Sequence, residues 1–345
     1  MKLLKGLAAL AVVLVLAAAA VAWTMYARIR EPYRGFDAIE QFVEIPPGAG
    51  AASIGARLTA VGVVRDATTF RIAAWVSGRS RDLRAGEYRF DRPLTPLDVI
   101  DRLARGDVYR RLITFREGLT IPEMAAVFEE RGFGTAEAFE RAAANATLVA
   151  DLDPAAPDLE GYLFPETYAL ARGTSADELV SQMVGLFNRL YTPELRAEAT
   201  AAGLSTREVV TLASLVEKET ARAEERPLVA AVYRNRLKIG MGMQADPTVI
   251  YALQRAGRYD GNLTRADLQF DSPYNTYRYA GLPPGPIAAP GLASLEAAIR
   301  PAPVRRLYFV SRNDGSHVFA DTLTEHNRNV REWQVRYFRE RRQPR

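Results

Sequence analysis

A run without a single charge, GLAALAVVLVLAAAAVAWTMYA at residues 6–27, stands between Lys5 and Arg28. About 20 consecutive apolar residues cross a bilayer as a helix, so this segment commits the chain to one membrane span before any other element is considered. Lys2, Lys5 and the amino terminus precede it, and Trp23 and Tyr26 mark its far end. A short basic N-terminus of this kind stays in the cytoplasm while the rest is exported. Residues 1–5 are then a cytoplasmic tail and residues 6–27 a transmembrane helix. Arg28 and Arg30 reduce the charge asymmetry, and AAAAVAW offers small residues suited to signal-peptide cleavage, so later removal of the span stays open. The run exceeds the about 7–15 residues of ordinary signal segments, which favours an anchor.

The exported body has no Cys, and the whole chain of 345 residues holds only two histidines, His317 and His326. Thiolate nucleophiles, disulfide frameworks, Cys-ligated zinc and a metal site of several histidines are thereby excluded, and no metal or cofactor is expected. The net charge of +4 is spread along the chain, with no basic tract interleaved with aromatics. No nucleic-acid partner is expected, and the balance suits an anionic polymer or surface.

Past the span, QFVEIPP (residues 41–47) has strand character. Amphipathic helices are expected over residues 51–60 and 67–77, then a strand at AGEYRF (85–90) and a helix at TPLDVIDRLARG (95–106). Strand, helix, helix, strand is a compact α+β unit, here residues 37–112. At an offset of 70, Gly48, Ile54, Leu58, Gly62 and Val63 face Gly118, Met124, Phe128, Gly132 and Phe133, and Phe70 later matches Phe139. Residues 113–150, which begin within LITFREG (residues 112–118), thus form either a second strand-helix-helix unit or a connector. DLDPAAPDLEGYLFPETY (151–168) mixes turn residues with aromatics and is expected to be a packed loop. Helices dominate residues 175–256, and two strands around a turn at NDGS precede a long helix over residues 324–342. The fold class is α+β, with a mainly helical C-terminal domain carrying a small β element.

Within this helical part stands TLASLVEKET, residues 211–220. Ser205 as N-cap and Glu208 three residues on close a capping box that starts the helix. At about 100° per residue, Val209, Leu212, Ala213, Val216 and Thr220 share one arc, with Lys218 opposite. Glu217 and Glu219 fall on the two edges of that arc. Glutamates flanking a buried stripe commonly keep their heads in water as a solvated charge cluster. Partial burial instead raises the pKa of Glu217 above about 4.3, as a general acid near neutrality requires. The wheel alone does not separate Glu217 from Glu219.

The partners expected in a cleft come from other segments. SPYNTYRYAGLPPGPIAAPG (272–291) holds Tyr274, Asn275, Tyr277 and Tyr279 beside a stretch too rich in Gly and Pro for helix or central strand; such a stiff loop loses little entropy on binding. Asn235 and Gln244 are neutral groups of the kind that read sugars and amides. Asp246 is fully explained as an N-cap with Pro247 at the first helical position. His326 and Asn327 are within reach of the cleft, whereas His317, on a strand, reads as structural.

LEGYLFPETY, LASLVEKET, NRLKIGMGMQADPTVIYA, SPYNTYRYAGLPPGPIAAPG and LYFVSRNDGSHVFADTLTEHNRNV stand together in an order and spacing that resembles the bacterial endolytic murein transglycosylases, the MltG or YceG-like family. The resemblance implies a YceG-like catalytic domain over residues 151–345 and a LysM-like fold for residues 37–112. It further implies a single-pass inner-membrane enzyme facing the periplasm. Its substrate would be peptidoglycan glycan strands, cut at the MurNAc–GlcNAc bond to leave 1,6-anhydro ends, beside peptidoglycan synthases. The first Glu of EKE, Glu217, maps onto the family's acid/base. Glu166, Asn235, Gln244, Tyr274, Asn275 and Tyr277 are the expected substrate-binding residues. Two rivals stay open: a non-catalytic wall-binding module, and a muramidase using Glu166, Glu219 or Asp246 to activate water.

Overall fold

The structure, a computed structural model, describes residues 2–337 and 339. Among the described residues one helix, α1 (Lys2–Arg30), is long and apolar enough to cross a membrane. Its apolar side chains, Leu7, Leu10, Val12, Leu14 and Trp23 among them, are exposed, an arrangement suited to lipid and costly in water. The helix outruns the uncharged run at its C-terminal end, and Ile29 is buried in the body that follows.

The chain divides into two units. The first runs as far as Arg111 and adds Ala169–Gly173. In it β1 (Gln41–Ile45) pairs antiparallel with β2 (Gly86–Phe90), from Gln41 opposite Phe90 to Ile45 opposite Gly86. Between them lie α2 (Ala51–Ala60) and α3 (Ala67–Val76), and α4 (Pro96–Arg105) follows. Alternation puts Val43, Ile45, Tyr88 and Phe90 on one face of the ribbon, where Ile54, Leu58, Phe70 and Leu103 of the helices meet them. Thr95 caps α4 in a reciprocal box with Asp98, and Gly106 ends the helix in the left-handed conformation at φ 72°. The expected strand-helix-helix-strand order is therefore present, with boundaries shifted by one or two residues.

The second unit takes Leu112–Tyr168 and the chain from Thr174 onward. β3 (Arg110–Thr114), whose first two residues are counted with the first unit, is followed by α5 (Ile121–Glu130) and α6 (Ala136–Ala143); β4 (Thr167–Ala171), whose last three residues are likewise counted with the first unit, pairs with β3. The positions matched at offset 70 are equivalent locally. Gly48 and Gly118 have φ of 76° and 79°, Gly62 and Gly132 of 74° and 69°, and Leu58, Phe128, Phe70 and Phe139 are all buried. The closing strand of this copy was not expected from the sequence. It falls after the long loop 151–166, where the turn residues mask a five-residue TYALA alternation. The loop itself is packed rather than solvated: Leu159, Tyr162, Leu163 and Phe164 are buried, and Asp153 accepts from Tyr162 Oη at 2.6 Å and Arg207 Nε at 2.8 Å. Gly161, at φ 83°, lies so close to Pro286 and Val210 that any Cβ would collide with them.

Around the centre stand α7 (Ala176–Leu190), α8 (Pro193–Ala201), α9 (Thr206–Glu219), α10 (Arg226–Lys238), α11 (Asp246–Arg255) and α12 (Leu292–Ile299). The Ser205–Glu208 capping box of α9 is present, with Glu208 Oε2 accepting from the Ser205 N–H at 2.8 Å. The one-sided wheel does not describe this helix. Every residue from Val209 to Val216 is buried, because α8, α10, α11 and α12 surround it. α12 was also unforeseen; its eight residues follow the Pro-rich loop directly and bury Leu295, Ala298 and Ile299. That loop is a core seam, with Ile287, Ala288 and Ala289 buried and the Ile287 N–H donating to Ser214 Oγ at 3.1 Å. β5 (Tyr308–Ser311) and β6 (His317–Ala320) form the expected antiparallel hairpin. α13 (Leu323–Val330) continues as a π-helix over Arg331–Arg336. Residues 338 and 340–342 of the expected long helix lie outside the described residues.

Candidate active site

Two residues apart on an α-helix means about 200° around its axis, so Glu217 and Glu219 leave the end of α9 in different directions. Glu217 turns toward α12. Its Oε2 accepts from the Gly291 N–H at 3.0 Å and Ser294 Oγ at 2.7 Å, and its Oε1 meets Arg226 Nη2 at 3.2 Å. Its side chain is only 5% exposed. Glu117 shares the same arginine at 3.4 Å, and burial first, then the Glu217 charge, pushes the Glu117 carboxyl above its ordinary value. Three donors on two oxygens pin Glu217 where α9, α10 and α12 converge.

Glu219 turns the other way, into a cleft of about 280 Å³ shared with Gln244, Asp246, Tyr277, His317 and His326. Tyr233 Oη donates to its Oε1 at 2.7 Å. Burial pushes the Glu219 carboxyl above its ordinary value; Tyr233, His317 and Arg236 pull the other way, and Asp246 adds to the rise. A carboxyl group whose pKa is raised by burial and which lines an open cleft has two properties that a general acid needs.

Asp246 is not a cap. Ala245 occupies the N-cap position of α11, and Asp246, its first helical residue, accepts from Tyr277 Oη at 2.6 Å. The start of the helix is held instead by threonines: Thr276 Oγ1 accepts from the Ala245 N–H at 3.1 Å, and Thr248 Oγ1 donates to the Ala245 carbonyl at 2.7 Å. Burial, then the bond to Asp246, raises the Tyr277 phenol well above its ordinary value, so it stays a donor. Gln244 is in the cleft at φ 50°, one of two non-glycine residues with positive φ among the described residues. Backbone strain at a cleft-lining residue is a feature that binding sites retain.

His317 also lines the cleft. Glu225 lies below its ordinary value: burial opposes the charge, but the backbone N–H and the ring of His317 and the Thr220 hydroxyl outweigh it. The ring Nδ1 of His317 therefore donates to Glu225 Oε2, at 2.7 Å, and Nε2 is left for the cleft. His326 reaches the cleft as expected, stacked on Tyr308 at 5.0 Å between ring centres, and burial lowers its pKa.

Of the other expected binding residues, Tyr277 and Gln244 line this cleft, and Asn235, Glu166, Tyr274 and Asn275 do not. Asn235 Nδ2 donates to the carbonyls of Val304 and Arg306 at 2.8 and 3.0 Å, fixing the approach to β5. Asn275 is fully buried; it donates to the carbonyls of Leu268 and Phe270 and accepts from the Tyr277 N–H, so it shapes the loop that presents Tyr277. Glu166 is exposed at the start of β4 and accepts from the Thr167 N–H. Tyr274 packs on Tyr251 at 5.0 Å under Arg255. Tyr233 and Glu225 had no signal in the sequence; their partners Glu219 and His317 lie 14 and 92 residues away along the chain.

The profile of the YceG-like family matches residues 43–332. An endolytic murein transglycosylase of Bacillus subtilis is 32% identical over 302 residues, covering 83% of this chain and 82% of the relative. One of Streptococcus pneumoniae serotype 2 is 30% identical over 322 residues, but the match spans only 58% of that longer protein. A crystal structure of a YceG-like protein from Listeria monocytogenes is 30% identical and superposes with a TM-score of 0.58, covering 84% of this chain and 98% of the other. With the family profile spanning most of its length, and with solved and curated relatives agreeing over the same region, this chain belongs to the YceG-like family.

Proposed function

We propose that the chain is an endolytic peptidoglycan lytic transglycosylase, anchored by α1 in the bacterial inner membrane with its body on the periplasmic side, and that Glu219 is its acid/base. The observation that carries the assignment to Glu219 over Glu217 is the cleft itself. Glu219 opens onto it beside hydroxyl, amide and imidazole groups suited to a sugar, whereas Glu217 is closed off by three donors. Protonated Glu219 gives its proton to the glycosidic oxygen between N-acetylmuramic acid and N-acetylglucosamine as the C1–O bond breaks. The resulting carboxylate accepts the proton of the muramyl C6 hydroxyl, whose oxygen closes on C1 of the same ring. The product is a 1,6-anhydro end, and the proton taken up in the second step restores the acid. Attack from within the ring gains from high effective concentration, so no water has to be activated. Tyr277, Gln244 and the Glu225-oriented His317 position the sugar. The first unit, LysM-like in its order of elements, holds neighbouring glycan, and cleavage of nascent strands beside peptidoglycan synthases sets their length.

Digestion of purified sacculi with the full chain in detergent is expected to release muropeptides ending in 1,6-anhydromuramic acid, identified by mass spectrometry. Glu219 and Asp246 share the cleft, which is the observation that keeps a muramidase in play. Reducing muramic ends in the digest would select that reading and reject the one proposed.

The pH dependence separates the roles of the two carboxylates further. A general acid must be protonated, so activity falls as pH rises through the elevated pKa of Glu219. Asp246 contributes to that elevation. Asp246→Asn is expected to move the alkaline limb of the kcat/KM profile to lower pH, and a limb that stays in place would remove Asp246 from the electrostatics of the acid.

A further inference from the structure

A second cavity, of about 390 Å³, lies in the helical unit, lined by residues none of which belongs to the Glu219 cleft. Glu160 lines it and is 5% exposed. Two donors reach this side chain, the Ile121 N–H at 3.2 Å and Tyr251 Oη at 3.3 Å, and both fall on Oε2. Oε1 is left without a hydrogen-bond partner among the described residues. The walls are apolar where Ile121, Pro122 and Ala144 contribute, and the remaining charged lining is Glu123, Glu140, Asp158 and one cation, Arg255. That guanidinium lies 5.7 Å and 5.5 Å from the ring centres of Tyr251 and Tyr274 and donates to Tyr251 Oη at 3.3 Å, with no hydrogen bond to a carboxylate of the lining among the described residues.

We propose that this cavity binds a primary ammonium group carried on a short aliphatic stem, with Glu160 as its counter-ion and the apolar wall as the seat of the stem. Glu123 is held by the Thr120 N–H and hydroxyl at 2.8 and 3.1 Å as the cap of α5, so the group left to meet a cation is the buried Glu160 with its open Oε1, and the volume suits a small ligand. In the empty cavity the need for a cation is met by protonation: burial pushes Glu160 up to about 8, Asp158 adds to the rise, and the Ile121 N–H, Tyr251 and Arg255 oppose it. The other groups facing it are Glu123 on α5, Glu140 on α6 and Tyr274. A bound ammonium favours the ionised form, so binding below that pKa releases a proton. Affinity therefore rises with pH, by up to about tenfold per unit, and levels off once Glu160 is ionised in the free protein. The inference is independent of the assignment of Glu219.

Isothermal titration of the full chain in detergent with n-pentylamine, between pH 6 and pH 9 and in two buffers of different ionisation heat, tests it. The expected result is saturable binding that strengthens from pH 6 to 8 with release of about one proton, and no binding of n-pentanol. Glu160→Gln is expected to remove the pH dependence and to weaken binding at pH 8 by at least about tenfold. Ala144→Trp, at an exposed position on the wall that leaves Glu160 in place, is expected to block the cavity whether or not the Gln variant folds. Absence of amine binding, equal binding of pentanol, or undiminished binding to Ala144→Trp would each overturn the proposal.

Discussion

Glu219→Gln is expected to lose glycan cleavage by about 10²–10⁴-fold in kcat or more, the range that a positioned acid/base contributes, while remaining folded. The amide is nearly isosteric with the acid, and its carbonyl oxygen still accepts from Tyr233 Oη, whose bond to Glu219 is 2.7 Å long. What disappears is a proton that can be given and taken back. The stability of the protein supplies an independent control. Because the folded-state pKa of Glu219 is raised, the folded state holds its proton more tightly than the unfolded chain. The native protein then loses stability as pH rises from the unfolded value of about 4.3 through the folded one, and the neutral amide does not. Thermal unfolding should show the variant gaining on the native protein toward alkaline pH. Turnover that survives in a folded Glu219→Gln protein would end the assignment.

Glu217→Ala has the opposite signature, a large loss of stability. The substitution leaves the Gly291 N–H and Ser294 Oγ without their acceptor and strips Arg226 of its nearer carboxylate, in a place where the arginine side chain is 11% exposed. Removing one partner of a buried ion pair costs about 3–5 kcal/mol, because the remaining charge has been taken out of water without compensation. Glu117, at 3.4 Å from the same guanidinium, offsets part of this. A fall in Tm on the order of 10 °C is the expected calorimetric result. Glu217→Gln keeps an acceptor for Gly291 and Ser294 and should retain turnover per folded molecule within about tenfold. If the Gln variant is instead folded and inactive while Glu219→Gln still cleaves, the roles of the two glutamates must be exchanged.

The pair also marks the boundary of what a helical wheel can say. Both residues flank the apolar arc of α9, and the wheel treats them alike. Their fates are set by α12, a helix unforeseen after the Pro-rich loop, whose N-terminal Gly291 and Ser294 capture Glu217. Asp246 failed for a related reason. Asp-Pro before an apolar run is good capping chemistry, but α11 begins one residue earlier, with Ala245 at the N-cap position, and the Asp246 carboxylate accepts from Tyr277 Oη instead. Asn275 and Asn235, read as sugar-binding amides, were found anchoring backbone carbonyls, which no local pattern distinguishes from ligand contact.

Local chemistry, by contrast, was legible wherever its partners lie within a few residues. The uncharged run, the reciprocal cap at Ser205 and Glu208, the strand-helix-helix order of the first unit and the β5–β6 hairpin all depend on spacing alone, and all are present. The sequence by itself thus determined the long apolar N-terminal helix, most elements and the short list of acids. Which acid meets a cleft and which becomes a pinned ion pair was decided only by tertiary structure. Desolvation and hydrogen bonding depend on atoms brought close by folding, some 70 to 110 residues away along the chain.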